Sequence, residues 1–220
     1  MIEHDPSGAM MSAITSEHFV MQGAISTSVN EQQARASMFL YSVSGALIAI
    51  GFMAESGHRV LLVATILIAL FIAGLLTTLR LVDISMESLQ AHVTVARIRK
   101  HYRSLGPDAE KIFDPAHGRW PEGETDSGHV IGPFLGLMTT AASMIACING
   151  MLGAALLAML LNRSFAQPLT VSILAGCVFA SALIALIFVY QKWRIRAVEK
   201  SANDAGLLIG NDQTPSGQST

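Results

Sequence analysis

Charge is what this chain lacks over its longest stretches. Asp, Glu, Lys and Arg make up 14% of 220 residues, whereas 51% are hydrophobic. Four segments hold no charged residue: 36–54, 60–79, 130–162 and 164–191, of 19, 20, 33 and 28 residues. A soluble amphipathic helix of that length carries a charged face, so these absences argue against an aqueous environment. Cysteine is nearly absent too. Cys147 and Cys177 both lie within apolar runs and form no CxxC, which excludes a disulfide framework or a cysteine metal cluster. The seven histidines are scattered. There is no HExxH, nucleophile elbow or phosphate loop. No catalytic, cofactor or metal residue is therefore expected. Nor is a nucleic-acid partner, because no arginine-rich patch accompanies a recognisable binding fold.

What is present fits a bilayer. A helix needs about 20 mostly apolar residues to cross roughly 30 Å of hydrocarbon, and each charge-free run can supply them. The first run starts after 35 residues, behind an acidic flank of Glu3, Asp5, Glu17 and Glu31, unlike a cleaved signal peptide. The expected fold is all-α and integral to the membrane. Four spans form two hairpins, and the second span has a long cytoplasmic helical extension. Four spans put both termini and the middle loop on one face. That face holds twelve of the fourteen Lys and Arg residues; Arg59 and Arg163 lie on the other. Basic loops stay inside, so the expected location is a bacterial inner membrane with termini and the 80–130 loop in the cytoplasm. Tyr190 and Trp193, among basic residues, fit a headgroup boundary.

The expected order along the chain is an arm at 1–35, a first hairpin at 36–79, a helical stalk at 80–106 and an irregular loop at 107–130. A second hairpin at 131–191 and a largely disordered tail at 192–220 complete it. Asn30 is placed to cap the first spanning helix. From Leu75, apolar residues recur at Leu79, Val82, Met86, Leu89, Val93 and Ala96. Steps of four and three make a heptad seam, which packs on another helix. Its cover is a second copy of the chain or the cytoplasmic flank of another span; the basic end can alternatively meet anionic lipid. The stalk residues of interest are Arg80, Asp83, His92, Arg97, Arg99, Lys100 and Arg103. Arg80 and Asp83 share a face and can pair. Trp120 is expected to dock on the stalk or the lipid surface. In the third run Ala142, Ala146, Gly150, Ala154 and Ala158 form a small-residue ladder that admits a close neighbour. Asn149 sits beside it, and an amide at that depth requires a hydrogen-bond partner. It reads as a clasp between helices, with a pore or substrate role as the alternative.

Two segments carry a resemblance: NEQQARASMFLYSVSGALIAIGF, Asn30 to Phe52, and ARIRKHYRSLG, Ala96 to Gly106. Together they resemble small bacterial four-span membrane proteins of uncharacterised function. The layout is also loosely similar to membrane effectors of nucleotide-signalled defence systems, which implies assembly and membrane disturbance. Lipid, a second copy, or a membrane or cytosolic protein are the expected partners. The functional expectation is a non-enzymatic membrane protein that self-associates or binds a partner through its stalk. A small channel, permease or membrane-disturbing effector is the alternative.

Overall fold

A computed structural model describes residues 6–52, 59–115, 120–122 and 138–207. All regular structure among them is helical: α1 (Pro6–Phe52), α2 (Arg59–Arg103), α3 (Pro107–Ile112), α4 (Ala141–Ser164) and α5 (Leu169–Asp204). Four of these helices are long and apolar enough to cross a membrane, and they are arranged as two hairpins. The chain is thus a multi-span helical membrane protein.

Local chemistry sets the helix bounds. Pro6 opens α1, where a missing backbone N–H costs nothing. α2 holds one glycine and no proline over 45 residues, about 68 Å at 1.5 Å per residue. It ends in Lys100, His101 and Arg103, and the lysine and arginine charges suit the negative end of the helix dipole. Gly106–Pro107 follows. Thr140 caps α4 by accepting from the Ser143 N–H at 3.3 Å. α4 and α5 are joined by Phe165–Pro168, where Ala166 is left-handed at φ 48°. α5 closes with a Schellman motif. The Leu207 N–H donates to the Ala202 carbonyl at 3.2 Å, the Gly206 N–H to the Asn203 carbonyl at 2.8 Å, and Gly206 takes φ 62°, as this cap requires.

Two compact units share these helices. The membrane unit comprises Asn30–Ile84 and Ile131–Trp193; the head comprises Met1–Val29, Ser85–Val130 and Arg194–Thr220. In the membrane unit, Phe39 of α1, Leu81 and Val82 of α2, and Ala142, Ile145 and Leu152 of α4 form one buried cluster. In the head, Met86, Val93 and Ala96 of α2 pack with Val198, Ala202 and Leu207, and Leu89 and Trp120 lie against them. The heptad seam of the head is therefore covered by the α5 end of the same chain, and Trp120 docks on it.

Several expectations change. The arm is helical from Pro6, so Asn30 sits inside α1 and caps nothing. Its less exposed residues, Met11, Ile14, His18, Met21, Ile25 and Ser28, recur in steps of three and four, a helix-packing spacing hidden by its polar members. The tail expected to be largely disordered is helical through Asp204, because Val198, Ala202 and Leu207 bury apolar surface on α2. The loop at 107–130 contains the short helix α3. Residues 131–137, the expected start of the second hairpin, lie outside the described residues.

Candidate functional site

The small residues of α4 decide how closely its neighbours approach. A Cβ on Gly150 would stand 3.2 Å from two carbons of Ile184, and one on Gly176 of α5 would stand 2.7 Å from the Ala154 carbonyl oxygen. Ala146 is 1% exposed and Ala142 is buried. The ladder thus serves contacts inside the chain, where absent side chains let backbones meet.

Asn149 is fully buried and points at α2. With its amide oriented to satisfy both ends, Nδ2 donates to the Phe71 carbonyl at 3.0 Å and Oδ1 accepts from the Leu75 N–H at 3.2 Å. Those two backbone groups are each other's partners in α-helical geometry, so the amide adds bonds beside the helix ladder. The approach needs Gly74. A Cβ there would overlap the Asn149 amide, standing 2.7 Å from its Cγ, and would lie 2.8 Å from Phe39 Cζ. Gly74 is the single glycine of α2. That singularity was a sequence signal for the partner of Asn149.

Closer to the basic end of the membrane unit, Arg80 meets Glu31 of α1, with Nη2 to Oε1 at 3.2 Å. Arg35 holds the same carboxylate at 2.8 Å. Glu31 precedes the charge-free run; chiefly Arg35, and then Arg80, hold its carboxyl below the ordinary value against opposing desolvation. Asp83 is half-buried. The Ser143 hydroxyl donates to Gln191 Oε1 at 3.4 Å, and the buried Gln191 Nε2 has no hydrogen-bond partner among the described residues.

In the head, the predicted basic cluster is mostly engaged. Arg99 Nε donates to Glu122 Oε2 at 2.8 Å, and Arg103 Nη1 lies 2.6 Å from Oε1. Glu122 is only 2% exposed, so two guanidiniums balance a carboxylate removed from water. Arg103 also donates to the Phe113 carbonyl at 3.2 Å, and Arg99 lies 5.7 Å over the Phe113 ring. Lys100 donates to the Gly206 carbonyl at 3.0 Å. His92 Nδ1 donates to the Ser88 carbonyl at 2.8 Å within its own helix. Arg97 is exposed. Nothing in the sequence marked Glu122 as the partner of Arg99 and Arg103. Its neighbourhood reads only as a polar loop.

Among the described residues no group of three or more His, Cys, Asp or Glu is placed to hold a metal ion. The architecture defines a multi-span helical membrane protein. No family model, curated protein or solved structure matches this chain.

Proposed function

We propose that the protein is a non-enzymatic membrane scaffold whose helical head engages a second copy or another protein. One observation carries this reading: the polar groups that promised chemistry are occupied in holding the chain together. Asn149 grips the α2 backbone, Arg80 pairs with Glu31, and Arg99 and Arg103 enclose Glu122. From Met86 to Ala96 the α2 seam is likewise covered from within. Among the described residues the head still exposes large apolar side chains, with Phe19 at 70% and Val20 at 59% on α1 and Ile112 at 74% on α3; we assign the partner to α1, the longer element. Exposed large apolar side chains on the head are the candidate contacts for such a partner. The twelve-to-two distribution of basic residues supports a cytoplasmic head on a bacterial inner membrane. The partner-binding surface is then α1 rather than the seam.

Cysteine crosslinking in native membranes tests this on a Cys147→Ser, Cys177→Ser background. Phe19→Cys is expected to give a defined adduct with a second copy or a partner; Val93→Cys, buried in the seam, gives none. Absence of any Phe19→Cys adduct, or symmetric linkage through Val93→Cys, refutes the reading. A membrane-impermeant maleimide labels Phe19→Cys only after cells are opened; labelling of intact cells reverses the orientation.

A second reading, a small channel or permease, draws on Gln191 Nε2, which has no partner among the described residues, because buried polar groups rarely lack partners without reason. Ion flux lost on Gln191→Leu would favour it.

A further inference from the structure

We propose that a crevice between α2 and α4 holds one acyl chain of an anionic phospholipid, with the lipid phosphate at Arg163. The crevice has a volume of about 680 Å³ and lies within the membrane unit, towards the Phe165–Pro168 connection. Val60, Ala64 and Ile68 of α2 wall one side, and Leu156 and Leu160 of α4 wall the other. Arg163 and Ser164 also line it, one turn beyond Leu160. No lining residue is acidic.

Three observations select the occupant. The first is depth. Arg163 and Gly153 are ten residues apart on α4, about 15 Å at 1.5 Å per residue. That is half of a hydrocarbon core roughly 30 Å thick, the depth of one leaflet. The second is an inner end lined by aromatic rings. Phe71 and Phe179, whose ring centroids are 6.3 Å apart, each place a ring carbon 2.7 Å from where a Cβ on Gly153 would stand. The two rings thus line the inner end of the crevice, in the space that Gly153 leaves by lacking a side chain. The third is charge. Arg163 is one of two basic residues near the short connections, and a guanidinium matches phosphate oxygens in a paired geometry. A second protein helix would gain nothing hydrophobic by displacing lipid tails there, whereas a tail already surrounds the opening.

The test uses the full-length protein in phosphatidylcholine vesicles containing phosphatidylglycerol as the minor component. Either lipid carries an acyl-chain diazirine. Adducts of phosphatidylglycerol are expected to concentrate at Leu156–Leu160 over Leu186, a 65% exposed control on α5. Arg163→Gln lowers the preference for phosphatidylglycerol over phosphatidylcholine by about fivefold, the scale of one basic side chain at a membrane surface. Ala64→Trp fills the slot and removes crevice adducts of both lipids while leaving Leu186 labelled. Equal labelling of crevice and control residues overturns the proposal. So does an unchanged lipid preference in Arg163→Gln. The inference depends on the membrane spans and not on the partner-binding role of the head, so crosslinking at Phe19 can fail without affecting it.

Discussion

Gly74 and Asn149 make a sharp energetic prediction because one residue exists to admit the other. Replacing Asn149 with Ala removes two hydrogen bonds to the α2 backbone. Side-chain bonds between membrane helices average about 0.6 kcal/mol and reach about 1.7, so the expected cost is about 1–2 kcal/mol. Gly74→Ala acts differently. Its new Cβ occupies the space of the amide and presses on Phe39 Cζ at 2.8 Å. The amide must leave, and a buried amide without partners costs about 1–3 kcal/mol on top of the bonds lost. The single substitution therefore costs about 2–5 kcal/mol. Once Asn149 is Ala, the added methyl meets no amide, and only Phe39 must adjust. The double variant should lie near Asn149→Ala alone, so the coupling approaches the whole cost of Gly74→Ala, about 2–5 kcal/mol. Denaturant titration in mixed micelles, followed by maleimide reaction at half-buried Cys147 in a Cys177→Ser background, measures all four corners of the cycle. Additivity within about 0.5 kcal/mol would falsify the direct contact.

Two further substitutions probe other contacts. Gly176→Ala sets a Cβ 2.7 Å from a backbone carbonyl of α4, which cannot rotate away. It should destabilise the second hairpin by about 1–3 kcal/mol, as overpacking does, and the same titration reads the loss. Glu122→Ala leaves Arg99 and Arg103 facing each other without their shared carboxylate. Breaking a buried pair costs about 3–5 kcal/mol, and the partly exposed arginines place this case near the low end. Hydrogen exchange should accelerate around Phe113 and Trp120; unchanged protection there would show that the carboxylate does not anchor the loop.

Much of the fold was legible because the bilayer imposes a local rule. A run without charge spans, whatever the rest of the chain does, and the four long helices follow from that. The seam from Leu75 to Ala96 was legible for the same reason, since periodicity is local. What covers it was not. A heptad states that a helix wants a neighbour and is silent on which, so a second copy and the chain's own flank read alike. The helical arm escaped notice because its half-buried face is built from Met, His and Ser as well as Ile, residues that carry little pattern.

Sequence alone determined the spans, their number and the uneven distribution of basic residues, all properties summed over neighbouring positions. Only the tertiary structure decided the pairings: Asn149 against Gly74, Glu122 between Arg99 and Arg103, and Val198, Ala202 and Leu207 on the α2 seam. Each joins residues far apart in the chain. Their affinity depends on distance and burial, which residue types do not encode until the helices have packed.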